Sequence, residues 1–165
     1  MPTILHATDF SPASARAFDT ACSLAQRPGN RLVLLHVLTP PSPFMNGKPP
    51  ASWLEFDARA RHAAERRLRA LLGKARRAGI RAQGRLVTGE PAAAILRAAT
   101  RERTGMIVVG THGRSALGRW FMGSVASRLV QTSPCPVLTV GGRERPATTA
   151  RRVPRSTRVT GRTSA

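Results

Sequence analysis

Apolar residues along this chain alternate between short dense runs and longer stretches with helical spacing. Ile4-Leu5-His6-Ala7 is the first dense run and predicts a strand. Ser11-Pro12 follows, pairing a hydroxyl suited to a helix N-cap with a residue suited to the first helical position. Ala17, Phe18, Ala21, Leu24 and Ala25 keep one helix face, and Pro28-Gly29-Asn30 stops it. Leu32-Val-Leu-Leu-His-Val-Leu38 is too uniformly apolar for a half-exposed strand, so it reads as one covered on both faces. Residues 39–51 carry Pro at 40, 41, 43, 49 and 50 and form a loop. Ser52 and Glu55 are spaced as a capping box. Phe56, Ala60, Ala63, Ala64, Leu68, Leu71, Leu72 and Ala75 then mark a long amphipathic helix ending at Gly79. A third strand spans Ile80–Thr88, and a helix over 91–103 turns Ala94, Ile95 and Ala98 inward and is ended by Gly105. Met106–Val109 is a fourth strand. A helix with Val125, Leu129 and Val130 on one face follows, and Val137–Val140 is the fifth strand.

Strands and helices that alternate in this way call for an open parallel sheet with helices on both faces. Ligands of such folds bind at the carboxyl ends of the strands, where strand order reverses. Asp9 stands just past the first strand and Gly110 just past the fourth, so both loops line one crevice if those strands are neighbours.

The fourth strand runs into Gly110-Thr-His-Gly113, then nine residues, then Gly123-Ser124 at the start of a helix. Glycines let main-chain N–H groups approach a phosphate, and a helix N-terminus offers unpaired donors and a positive dipole end. Ser124 adds a hydroxyl; Arg114 and Arg119 add charge suited to phosphate oxygens. Read alone, the glycines also suit plain turns, and Asp9 also suits a capping role for the first helix. No GxxxxGK[ST] run is present, and no GxGxxG follows the first strand. His6 and His36 read as strand residues bonded locally, and His112 alone in its loop makes no case for catalysis.

The chain has 165 residues, enough for one domain over 1–140 and a tail over 141–165. The tail is rich in Arg, Pro, Thr and Ser and poor in large apolar residues, so it is expected to be disordered. Net charge is +19, of which +6 falls on the tail, with seven Arg and one Glu, leaving +13 on the rest. Arg outnumbers Lys 25 to 2. Composition bias and attraction to polyanions both fit that excess, as a solvated face and a polyanion-binding stripe both fit the cations of the long helix. Aromatics are 4% and Tyr is absent, which disfavours a stacking platform for single-stranded bases. Cys22 and Cys135 fit no metal-ligand spacing and read as small apolar residues. No run is long enough to span a membrane, and the first residues lack a secretory pattern, so a cytoplasmic location is expected.

The spacing of Gly110, Gly113, Gly123 and Ser124, G-x2-G-x9-G-[ST], resembles that of the ATP-binding members of the universal stress protein family. Thr8-Asp9-Phe10-Ser11 resembles the family's first loop, His36-Val37 the end of its second strand, and Met106–Ser115, Gly123–Ala126 and Cys135–Leu138 its C-terminal half. The resemblance covers about residues 1–140. It implies an α/β fold with a five-stranded parallel sheet of order 3-2-1-4-5, Rossmann-like, holding ATP, with Mg2+, in the crevice. By matching position it places Ala7, Thr8 and Asp9 at the adenosine, Val37 at adenine, and Val109 and Gly110 along adenine and ribose. It places Gly113, Arg114, Gly123, Ser124 and Val125 at the phosphates. The family commonly has Pro where Ala7 stands; proline would stiffen that turn, so its absence here is expected to loosen Asp9 slightly. The resemblance also implies a homodimer, expected through the Val137–Val140 edge.

The resulting expectation is a nucleotide-binding stress or regulatory protein with no catalytic residue assigned and at most slow ATP hydrolysis. Its rivals are a nucleotide hydrolase on the same fold, and a protein that associates with nucleic acid through its basic tail.

Overall fold

The computed structural model describes residues 2–39, 51–111 and 122–141, with the side chains of 51–57 excepted. Among the described residues nine elements run in the order β1 (Thr3–Ala7), α1 (Pro12–Ala25), β2 (Arg31–Leu38), α2 (Ala51–Arg77), β3 (Ala82–Thr88), α3 (Pro91–Arg101), β4 (Thr104–Gly110), α4 (Ser124–Thr132) and β5 (Val137–Val140). All four strand pairings are parallel, in the order β3-β2-β1-β4-β5. That is the expected architecture and order. The chain steps outward from β1 to β3, then returns to β4 on the other side of β1. Strand order therefore reverses between β1 and β4.

Each face of the sheet is covered. Ile4, Leu32, Leu34 and Val108 meet α1 and α2 through Ala17, Phe18, Ala21, Leu68 and Ala75. Leu5, Val33, Leu35, Ile107 and Val109 meet α3 and α4 through Ile95, Ala99, Ala126 and Leu129. Leu32 to Leu35 are all fully buried, as a strand covered on both faces requires. Among the described residues no helix is long and apolar enough to cross a membrane. The tail beyond Gly141 lies outside the described residues.

Ser11 caps α1 as expected, its Oγ accepting from the Ser14 N–H at 3.2 Å, with Pro12 at the first position. Three local expectations need correction. Gly105 does not end α3 but lies inside β4. Thr3 is in register with Thr104 and Ile4 with Met106, so Gly105 is the extra residue of a bulge. A Cβ there would stand 3.1 Å from that of Pro2. The turn out of α3 is made by Arg103 instead, at φ 49°. Helix α2 begins at Ala51, so Ser52 is already inside its first turn rather than at the cap. The third strand starts at Ala82, two residues after Ile80, which is buried in the turn between α2 and β3.

At the amino ends of the strands, Glu102 is nearly buried and receives Arg31 and Arg85, each at 3.2 Å. Arg31 also donates to Thr3 Oγ1 at 2.9 Å. This network ties β1, β2, β3 and the end of α3 together, opposite the reversal crevice.

Candidate functional site

The loop after β1 is held by a dense set of short hydrogen bonds. Thr8 donates its N–H to the Leu35 carbonyl at 2.8 Å. Thr8 Oγ1 accepts from the Phe10 N–H at 3.0 Å and from the Ser14 hydroxyl at 2.7 Å. Asp9 Oδ1 accepts from the Ser11 N–H at 3.0 Å, so the carboxylate closes the turn into α1. Phe10 sits at φ 61°, a left-handed conformation that a bulky side chain rarely adopts. Its ring lies 4.4 Å, centroid to centroid, from that of His36, and the Arg67 guanidinium stands 5.6 Å from its centroid. His36 donates Nδ1–H to the Thr8 carbonyl at 2.7 Å, since a carbonyl can only accept. These contacts hold the backbone in that conformation.

Beside this loop lies a crevice of about 310 Å³ at the carboxyl ends of β1, β2 and β4. One wall is apolar, made by Val37, Val109, Ile95 and Ala126. Thr8, Asp9, Ser14, Thr39 and Ser124 bring polar groups to its rim. Of the residues singled out in the sequence, Ala7, Thr8, Asp9, Val37, Val109, Gly110, Ser124 and Val125 all line it. Gly123 stands at the N-cap of α4 rather than on the wall, and its N–H is bonded to the Thr111 carbonyl. Gly113 and Arg114, with His112 and Arg119, lie outside the described residues. Ser14, Leu35, His36, Thr39, Pro91, Ile95 and Ala126 also line the crevice and were not singled out. Thr39 had a signal, since it directly follows the carboxyl end of β2.

Helices α3 and α4 both begin near the crevice, and they differ. At α3, Glu90 caps the helix with both carboxylate oxygens, on the Ala92 and Ala93 N–H groups at 3.1 and 2.8 Å. The bond from Ala93, foremost, holds its carboxyl below the usual range. At α4, Gly123 has no side chain to cap with, and among the described residues no side chain caps the first N–H groups there. Gly110 has a structural role of its own. A Cβ there would lie 2.9 Å from the Ala13 carbonyl carbon and 3.0 Å from the Ser14 nitrogen. Its bare α-carbon therefore lets the end of β4 press against the start of α1.

Below the crevice, His6 is fully buried in β1. Its Nδ1 donates to the Val108 carbonyl at 3.0 Å, which leaves Nε2 as a lone pair without a partner among the described residues. Burial, the largest influence, pushes its pKa down to about 4, against smaller opposing pulls from the Val108 bond and the Asp9 charge. Cys22 is half-buried among core residues, and burial raises its thiol to about 11, so it behaves as an unreactive apolar group. Among the described residues no group of three His, Cys, Asp or Glu is placed to hold a metal ion.

Residues 1–141 match the family model described as "Universal stress protein family". A universal stress protein from Thermus aquaticus, encoded in a QAH/OAS sulfhydrylase 3′ region, is 36% identical over 139 residues, covering 84% of this chain and 97% of that one. The crystal structure of a universal stress protein family member from Burkholderia pseudomallei is 30% identical and superposes with a TM-score of 0.65, covering 84% and 94% of the two chains. A family protein from Arabidopsis thaliana, solved with AMP bound, shares the fold at a TM-score of 0.63 and 20% identity over 87% and 93%. A universal stress protein in complex with cAMP does so at 0.65 and 24% over 86% and 98%. The family model spans every strand and helix described above, and the Thermus relative is 36% identical over 84% of the chain, so this chain belongs to the universal stress protein family.

Proposed function

We propose that this chain binds ATP, carried in with Mg2+, in the crevice at the β1–β4 reversal. It then acts as a regulatory nucleotide sensor in the cytoplasm and turns ATP over slowly at most. The observation that carries this reading is the pairing of an apolar wall with an uncapped helix start. Val37 and Val109 offer flat contact for a purine ring, and Asp9 offers a carboxylate for ribose hydroxyls. The first N–H groups of α4 and the Ser124 hydroxyl suit phosphate oxygens. In the same reading Ala7, Thr8 and Gly110 border the nucleoside. Gly113, Arg114, Gly123 and Val125 complete the phosphate cradle. The described residues fit Mg2+ only through isolated oxygens such as those of Asp9 and Ser124. The ion would then keep mostly phosphate and water ligands, as Mg2+ commonly does. The AMP and cAMP complexes of family members support the reading by analogy of fold. Asp9 is the one carboxylate on the crevice wall among the described residues. It is already engaged by the Ser11 N–H, which favours holding a nucleotide over activating a water.

Calorimetry tests this directly. Wild type takes up one Mg-ATP per chain, and Gly123→Val, which sets a branched side chain before the α4 N–H groups, weakens binding at least about tenfold, or 1.4 kcal/mol. Equal affinities in the two proteins would refute the assignment of the phosphate end.

The reading includes a homodimer. Among the described residues strand β5 pairs with β4 alone, and Leu138 on it is exposed. An open edge of this kind is stabilised by a second copy. Light scattering is expected to give twice the 17.7 kDa chain mass at micromolar concentration, and the single-chain mass would contradict it.

A further inference from the structure

Helix α2 carries its cations in an order that the nucleotide crevice does not explain. Residues 58–85 contain ten Arg and Lys against one acid, Glu65. Several of these cations have local work. Arg61 donates to Thr88, Arg69 approaches Glu65 at 3.9 Å, Arg76 donates to the Ala82 carbonyl, and Arg85 reaches Glu102. Arg59, Arg66, Lys74 and Arg77 do not: they are exposed and make no hydrogen bond or ion pair among the described residues. At 100° per residue, Arg59, Arg66 and Arg77 fall within about 20° of one line along the helix, spanning roughly 27 Å. That line is diametrically opposite the buried Ala64, Leu68 and Ala75. Beyond its C-terminal end, Arg31, Arg76 and Arg81 border an open hollow of about 490 Å³.

We propose that this outer face of α2 is a docking surface for the phosphodiester backbone of double-stranded DNA, bound without regard to sequence. A row of unpaired guanidinium groups spaced along one face of a helix complements the regularly spaced phosphates of a stiff duplex. Laid parallel to the duplex axis, its length covers about eight base-pair steps at roughly 3.4 Å each, which brings its cations past phosphates of both strands. Single strands fit less well, because none of the exposed large apolar residues among the described ones lies on α2 to stack bases. A lipid surface fits less well too, because the apolar side of α2 is spent on the sheet and has nothing to insert.

The test uses the full chain and a 20-base-pair DNA duplex, followed by fluorescence anisotropy between about 50 and 200 mM salt. One variant replaces the row (R59Q, R66Q, R77Q). A second removes the same charge from other exposed positions (R27Q, R97Q, R101Q), the last two on α3 across the sheet. Thermal melts confirm that both fold. Wild type and the second variant are expected to bind with a similar salt slope. The row variant loses about 2.7 from that slope, close to 0.9 per contact, and roughly a hundredfold or more in affinity near 100 mM. Equal losses in the two variants would overturn the proposal by showing a net-charge effect only. A row variant that keeps the wild-type slope would overturn it by assigning binding to the tail. So would absence of duplex binding by wild type, or binding to phosphatidylserine vesicles in place of DNA.

Discussion

Replacing Gly110 by valine is expected to destabilise the fold by about 3 kcal/mol and to lower the melting temperature by roughly 10 °C. The cause is backbone proximity. Even a Cβ at this position meets the Ala13 carbonyl carbon at 2.9 Å and the Ser14 nitrogen at 3.0 Å, and neither is a side chain that can swing aside. The end of β4 must then part from the start of α1. Ser14 would move with it, and with Ser14 the hydrogen bond to Thr8 Oγ1 that steadies the first loop. Loss of stability therefore comes with loss of crevice shape. Thermal melts of Gly110→Val beside Gly141→Ala, where a Cβ meets nothing within 4 Å, make the comparison. Equal melting temperatures for these two variants would contradict the packing role assigned to Gly110.

His6 gives the second large effect, and its sign is opposite to that of a histidine gaining a partner. In the folded chain it titrates near 4, in the unfolded chain near 6.5. Between those values the unfolded state holds a proton that the folded state refuses. Stability is therefore lost as pH falls from about 6.5 to about 4, by roughly 3 kcal/mol in total, and the loss levels off below that. Carboxylates held below their usual range, such as Glu90, add losses of their own in acid, so the comparison must be with a variant. Gln at position 6 keeps a donor for the Val108 carbonyl and does not titrate. The stability difference between wild type and His6→Gln, from urea unfolding, should move by about 3 kcal/mol in favour of the variant between pH 7 and pH 4. Parallel curves for the two proteins would show that the buried imidazole is not the cause.

Much of the architecture was legible because hydrophobic burial leaves a periodic trace. The unbroken apolar run from Leu32 to Leu35 can only be covered on both faces, and it is. Ser11 followed by Pro12 names a helix start, and the hydroxyl caps it. What escaped has physical causes too. Gly105 looked like a helix stop because glycine is common there. Its role as a bulge residue depends on register with β1 and contact with Pro2, which no local pattern records. Gly110 read as room for a ligand, whereas the contact that requires it comes from α1, nearly a hundred residues away. Phe10 at positive φ was invisible, since its conformation is fixed by the ring of His36 and the hydrogen bonds of Thr8. Pro91, Ile95 and Ser14 join the crevice wall because α3 and α1 start where the strands end, and side-chain chemistry gives no hint of that. The residues on the strand ends were legible because a reversal of strand order was, and strand ends at a reversal are where a parallel sheet opens.

The central claim is that the crevice between β1 and β4 holds an adenine nucleotide with its phosphates at the start of α4. A crystal structure of the full chain grown with Mg-ATP tests it most directly. The purine is expected against Val37 and Val109, and the phosphates within hydrogen-bond reach of the Ser124 and Val125 amides. Nucleotide bound elsewhere on the molecule, or a crevice filled by the chain's own side chains at saturating ATP, would contradict it.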